Sequence, residues 1–274
     1  MNKLSIEKRA QVVGCLVEGM SIRSTVRITG AAKNTVTKLV VELGQVCADY
    51  QDKTLHNLPC KRIQCDEIWS FCYAKEKNVP QGLKGQLGYG DVYTWTALCA
   101  DTKLITSFMV GKRDAEYGNA FMLDLASRLK NRVQLTTDGH RVYLNAVENA
   151  FGHDIDYAML VKVYGRSNQE DERRYSPVEC TGAEIVPITG NPELKHISTS
   201  YVERQNLTMR MSMRRFTRLT NGFSKKIENH FFATALYFMY YNFGRVHKTL
   251  RVTPAMEAGV TDHVWTLEEI ASLI

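Results

Sequence analysis

Between residues 61 and 165 the chain changes its hydrophobic period in a fixed order, and that order limits the fold more than any other feature of the sequence. KRIQCDEIWSFCYA is rich in β-branched and aromatic residues and is bounded by polar clusters, which predicts a strand. A Gly-rich loop, VPQGLKGQLGYGD, follows it. VYTWTALCADTKLITSFMVG then predicts two further strands turned around Asp101 and Thr102. In AEYGNAFMLDLASRLKNR, Phe121, Leu125 and Leu129 recur at i, i+4 spacing, the stripe of an amphipathic helix. VQLTTDG reads as a short strand stopped by Gly139, VYLNAVENAFG as a helix stopped by Gly152, and YAMLVKVYG as another strand. The order is β-β-β-α-β-α-β, followed by long helices. Alternation of this kind implies an α/β fold: a mixed sheet flanked by helices.

The flanks have a different character. SIEKRAQVVGCLVEGM carries an apolar stripe at Ile6, Ala10, Val13, Leu16 and Val17 and ends at Gly19. Ser21 can cap a short helix SIRSTVRIT, the turn TGAAKN follows, and KNTVTKLVVELGQV makes a third helix. Two short helices joined by a Gly-containing turn fit a helix-turn-helix, whose second helix would enter a major groove with Lys33, Asn34, Thr35 and Lys38 exposed. A plain three-helix bundle or dimerisation module fits the same pattern. Residues 1–50 therefore form the expected DNA-reading unit, 51–60 a polar, proline-marked linker and 61–250 the core. A polar insertion spans about 165–197, and 251–274 is a tail. The most apolar run, Ile227 to Phe243, is interrupted by Glu228 and His230 and is short for a membrane span, so it reads as a core helix. The seven cysteines show no zinc spacing, and an odd count without a signal peptide implies reduced thiols and a cytoplasmic protein.

The formal charge is +6, but from Glu203 to Arg251 ten Lys/Arg stand against two Glu, a local +8. Concentrated positive charge attracts polyanions, nucleic acid foremost. Within STSYVERQNLTMRMSMRRF the one acid, Glu203, is followed by four arginines that have no carboxylate to pair with inside the segment. Two more acids sit at element boundaries. Asp66 lies within the first strand, where burial is costly unless the charge is paired or metal-bound. Asp138 lies at the carboxyl end of a later strand, where sites form in open α/β sheets. Three hard oxygen donors from separate elements suit Mg²⁺ or Mn²⁺, and two such ions can activate water or a 3′-hydroxyl against a phosphodiester. Arg210, two helical turns after Glu203, would face a neighbouring phosphate, with Arg214 continuing the stripe. Other acids compete. Pleat alternation lets only one of Asp66 and Glu67 face the site, and Glu170, Asp171, Glu184 and Glu193 rival Glu203.

CDEIWSF, LTTDGHRVY and STSYVERQNLTMRMSMRRFTRLTNGFSKKIENH together resemble the DDE transposases of bacterial insertion sequences, most closely the insertion sequence 1 family. The resemblance runs from about Ile63 to Gly259 and includes the tail YYNFGRVHKTLRVTPAMEAG. It implies a ribonuclease H-like core of the retroviral-integrase type, with Asp66, Asp138 and Glu203 as the catalytic, metal-binding triad and two Mg²⁺ or Mn²⁺ ions as cofactor. It also implies that Arg210 contacts terminal DNA, that element ends and target DNA are the partners, and that the chain works as a homo-oligomer on DNA, with no role at a membrane. The implied reaction is hydrolysis at the element's ends followed by attack of the freed 3′-hydroxyls on target DNA. Many relatives carry an N-terminal zinc-binding cysteine motif that this sequence lacks, which leaves end recognition to residues 1–50 or implies a divergent or truncated end-reading apparatus. Two other functions fit the same residues: a DNA-binding repressor over an inactive core, and a structure-specific nuclease on the same fold.

His140 could touch phosphate or position water, or could be an ordinary turn residue, and His196 is a weaker candidate of the same kind. Trp69, Phe71 and Trp95 read as sheet core. Lys225, Lys226, Arg245 and Lys248 either track phosphates or form a solvated helix surface.

Overall fold

The N-terminal segment forms α1 (Ile6–Val17), α2 (Ile22–Thr29) and α3 (Lys33–Thr54) in the computed structural model, which describes residues 4–164, 180–217 and 220–274. Ser5 and Ser21 cap the first two helices by accepting from the Lys8 and Ser24 amides. Gly30 ends α2 at φ 70°, a left-handed conformation that costs glycine little, so only three residues separate α2 from α3. α3 is longer than the sequence pattern indicates. It runs on through 51–54, part of the expected linker, because the buried Gln51 side chain donates to the Cys47 and Ala235 carbonyls.

β1 (Arg62–Cys72), β2 (Gly90–Cys99) and β3 (Ile105–Gly111) form an antiparallel meander. α4 (Ala115–Arg128) returns the chain to β4 (Gln134–Asp138), and α5 (Val142–Phe151) leads to β5 (Asp156–Tyr164). β4 is parallel to both β1 and β5, and β6 (Cys180–Thr189) adds antiparallel to β5. The sheet order is β3-β2-β1-β4-β5-β6. A meander followed by two helical crossovers onto the opposite side of β1 is compatible with a ribonuclease H-like fold. β6 lies inside the segment read as a polar insertion. Nearly every residue of this edge strand is exposed, so it shows no alternation of apolar and polar positions.

One face of the sheet packs Trp95, Phe121, Leu125 and Tyr143 beneath α4 and α5. The other packs Ile68 and Leu98 beneath α6 (Ser200–Ser212) and α7 (Ile227–Met239), through Val202, Met209, Tyr237 and Phe238. Trp95 is fully buried, as expected, whereas Trp69 is 36% exposed and belongs to the surface. α3 lies along α7 at very short range: a Cβ on Gly44 would fall 2.2 Å from the Phe232 carbonyl oxygen. Past α7 the chain continues as a π-turn (Tyr240–Gly244), α8 (Pro254–Glu257) and α9 (Leu267–Ala271). α9 docks on α1, and Arg9 donates to the Ala271 and Ile274 carbonyls. Among the described residues no helix is long and apolar enough to cross a membrane, and all seven cysteines are free thiols.

Candidate metal centre

The register of two parallel strands builds the site. β1 and β4 pair from Arg62↔Gln134 to Cys65↔Thr137, so one step further along places Asp66 beside Asp138. Pairing stops there because β4 ends at Asp138, and the opening leaves both carboxylates at its mouth. Even-numbered positions of β1 face α6 and α7: Gln64 bonds α6, Ile68 packs with Val202, and Ser70 meets His230. Asp66 shares that face, accepting from Asn206 Nδ2 at 2.8 Å and from the Glu67 amide at 2.8 Å.

Gln64 also explains why α6 sits where it does. Thr199, the residue before the helix, makes no side-chain cap. Gln64 Oε1 instead accepts from the Tyr201 and Val202 amides at 2.9 and 3.1 Å, fastening the helix start to β1. One turn on, Glu203 emerges toward β5. Its carboxylate accepts from Lys162 Nζ at 2.6 Å and from the Thr199 hydroxyl.

Carboxylate oxygens of Asp66, Glu67 and Asp138 lie within 4.8 Å of one another. Of the three acids expected from sequence, the structure gathers Asp66 and Asp138. Glu203 stands outside that group, close enough that its charge helps raise the Asp66 pKa, with Lys162 at its carboxylate. Pleat alternation predicts that Glu67 and Asp66 exclude each other from the site. The two do leave opposite faces of β1, yet both reach the mouth of the β1–β4 opening because nothing is paired there. The Glu67 side chain is only 1% exposed and bonds Arg113 Nε at 3.0 Å. Arg113 also reaches Asp138 at 3.6 Å. Among the described residues the ion pairs at these four carboxylates are those of Arg113 with Glu67 and Asp138 and of Lys162 with Glu203, so acids outnumber the cations paired with them.

That imbalance shows in the titration of the site. Burial, then the neighbouring Asp138 charge, pushes the Asp66 carboxyl up to about 6. Burial pushes Glu67 up to about 7, and Asp138 adds to the rise against the opposing pull of Arg113. The Tyr143 hydroxyl lies beside Glu67 and counters part of that rise, although neither it nor Glu67 Oε1 completes a hydrogen bond. An unpartnered buried carboxylate oxygen amid like charges is what a divalent cation would satisfy. Asp66, Glu67 and Asp138 are hard oxygen donors and fit Mg²⁺ or Mn²⁺.

The remaining candidates separate cleanly. The His140 amide donates to Asp138 Oδ1 at 2.9 Å, while its ring stacks on Trp95 and leaves Nε2 buried without a partner. Burial and then Arg113 lower its pKa, against the opposing pull of Asp138. His196 bonds Arg62 at the far end of β1, and Glu193 bonds Gln134 at the start of β4, both at the wrong end of the sheet. Glu184 is on the exposed edge strand β6. Glu170 and Asp171 lie outside the described residues. Arg210 is on the Glu203 flank of α6, but the helix ends at Ser212, so the exposed Arg214 sits in the following turn and does not extend the stripe. Lys33, Asn34 and Lys38 are exposed on the first turns of α3, with Lys38 3.4 Å from Glu42. Sequence reasoning missed Arg113 and Lys162. The second had a signal, as the lone cation in the apolar run YAMLVKVYG.

No protein-family model and no curated protein matches the chain. Among solved structures, the cryo-EM structure of a piggyBac transposase synaptic complex with hairpin DNA is similar, at a TM-score of 0.43 and 11% identity. The match covers 99% of this chain and 70% of that one. A likeness this distant has no bearing on activity.

Proposed function

We propose that the chain is a metal-dependent phosphoryl-transfer enzyme acting on DNA, a transposase of the DDE type that cleaves at the ends of an insertion sequence and joins them to a target. The observation that carries this reading is the register-enforced meeting of Asp66 and Asp138, with Glu67 alongside, at the open carboxyl end of β4. Mg²⁺ or Mn²⁺, as a pair, would supply Lewis acidity to a phosphodiester and ionise the attacking water or 3′-hydroxyl. The protein's part is to hold the carboxylates rigidly on strands, with Asn206 orienting Asp66 and Arg113 orienting Glu67 and Asp138. Arg210, on the Glu203 flank, and Arg214 beyond it would hold the flanking phosphates. α2 and α3 would read the element's ends as a helix-turn-helix, with Lys33, Asn34 and Lys38 in the groove. Joining two DNA ends calls for a multimer on DNA.

One observation favours a second assignment of the third ligand. Lys162 holds Glu203, whereas Glu67 already lies within 4.8 Å of both aspartates. Glu203 completes the triad if Lys162 releases it on DNA binding, and otherwise Glu67 does. The test is nicking of a supercoiled plasmid carrying the reading frame with its native flanks, in Mg²⁺ or Mn²⁺. Asp66→Asn and Asp138→Asn should each lower cleavage by about 10²–10³-fold, a loss of the order seen when a preorganised electrostatic partner of the transition state is removed. DNA affinity should stay within about threefold, since phosphate contacts by cations dominate it. Normal cleavage by either variant would refute the site. Sequence-specific binding with no cleavage by the parent protein would favour the repressor.

A further inference from the structure

The flank of α6 that turns away from Glu203 lines a second depression. At 100° per residue, Tyr201, Arg204 and Thr208 project well away from the Glu203–Arg210 stripe. They form one wall of a cavity of about 220 Å³. Lys103, in the turn between β2 and β3, and the segment from Arg245 to Lys248 form the other. The lining gathers Lys103, Arg204, Arg245 and Lys248 from three distant parts of the chain, and no carboxylate lines it. Among the described residues none of these four cations forms an ion pair. The Lys103 ammonium lies 3.6 Å from the centre of the Tyr201 ring, and Arg245 Nη1 donates to the Ser212 hydroxyl at 3.2 Å.

Buried polar atoms without hydrogen-bond partners lie at and beneath the cavity wall. Gln205, only 3% exposed, lines the cavity with Nε2 buried and lacking a hydrogen bond. It approaches the Tyr237 hydroxyl, which also lies beside Ser212 and completes no hydrogen bond with either. His247 Nδ1 is also buried and unbonded. Orphaned polar groups of this kind are costly unless a ligand supplies the partner. Burial, Lys103 and Arg245 each lower the His247 pKa. Lys103 donates to the Ala100 carbonyl and has Asp101 nearby, but Arg204, Arg245 and Lys248, around an unsatisfied amide, make an acceptor-rich anion the complementary ligand.

We propose that this depression is a phosphate-binding site, separate from the acid cluster, which grips a backbone phosphate of a DNA strand passing along the outer flank of α6. The strand as source rests on the transposase reading, whereas the phosphate chemistry does not. The HKTL run within the tail YYNFGRVHKTLRVTPAMEAG then has a role: it delivers His247 and Lys248 to the site, next to Arg245.

The experiment uses the full chain and two probes. Pyrophosphate is titrated calorimetrically, and affinity for a duplex from the element's flanks is followed by anisotropy across a range of salt. The triple variant Arg204→Gln/Arg245→Gln/Lys248→Gln should weaken pyrophosphate binding at least tenfold. It should also flatten the slope of log affinity against log salt by about 1 for each phosphate no longer held. Lys130→Gln, an exposed cation elsewhere, should change neither. Should the triple variant fail to fold by circular dichroism, the exposed Lys248→Gln alone decides, with a smaller change in the same direction. Unchanged pyrophosphate affinity and unchanged slope would overturn the proposal. A loss of pyrophosphate binding with an unchanged DNA slope would overturn the strand as source and assign the site to free phosphate. If the parent protein never cleaves DNA but the variant loses pyrophosphate binding and slope, the transposase reading fails and the pocket stands. Metal-dependent cleavage with neither probe affected has the opposite meaning.

Discussion

Asp66 holds its charge in an unfavourable place: within a strand, beneath a helix, next to another carboxylate. With its pKa near 6 and that of Glu67 near 7, the folded protein retains protons that the unfolded chain releases near pH 4. Stability contributed by these groups is therefore present below about pH 4 and is lost as pH rises through 6 and 7. His230 acts in the opposite direction. Fully buried, with its pKa driven down to about 3, it costs stability as pH falls from 6.5. The two effects are separated by comparing Asp66→Asn with the parent in EDTA. The variant should gain about 2 kcal/mol relative to the parent between pH 4.5 and 7.5, read from urea midpoints, and added Mg²⁺ should stabilise the parent more than the variant. A gap that stays constant with pH would show that Asp66 is not strained by its neighbours. A second residue-scale test concerns the third ligand. Whichever of Glu67→Gln and Glu203→Gln removes cleavage at saturating DNA, by about 10²-fold or more, marks the residue that completes the metal site, and Lys162→Gln should raise metal affinity only if Glu203 is that residue.

At the scale of elements, the tight contact is α3 on α7. A methyl on Gly44 collides with the backbone of Phe232, which cannot move without shifting α7. Gly44→Ala would ordinarily gain helix propensity, yet here it should destabilise by about 1–3 kcal/mol, measured by chemical denaturation. The strands and helices from β1 to β5 are legible in the sequence because each buries one face or both, so period-2 and period-3.6 patterns survive. β6 is not legible, because an edge strand exposed along its length has no apolar face to display. The end of α6 escapes for the opposite reason: Arg214 falls at helical spacing from Arg210, and spacing says nothing of where the backbone leaves the helix at Met213. Asp138 is legible from its place at a strand end, and Asp66 as a charge inside an otherwise apolar strand. Glu67 is hidden by the pleat rule, which assigns it to the opposite face of β1 and takes no account of two carboxylates reaching one gap beyond the end of β4. Arg113, in the loop between β3 and α4, has no pattern at all to betray it.

The whole molecule is closed by contacts between its ends. α1 rests on α9, Arg9 caps the last carbonyls of the chain, and Trp265 packs on Tyr50 and Phe243. The N-terminal helices share one buried cluster with the sheet, Val36, Leu39 and Leu43 lying in the same core as Ile63 and Trp95. A fragment of residues 61–250 should be unfolded or aggregated, judged by amide dispersion in NMR, because it bares Leu236, Met239 and Phe243. A well-dispersed spectrum would show that the core stands alone. α3 has 22 residues, about 33 Å end to end, with Lys33 and Asn34 exposed at one tip and Gly44 wedged against α7 midway. Such a helix is a tie-rod. Any base pairs seated at its tip are set at a fixed offset from the carboxylates, so the spacing between recognised sequence and cut phosphate would be measured by the protein's own skeleton rather than by a flexible leash.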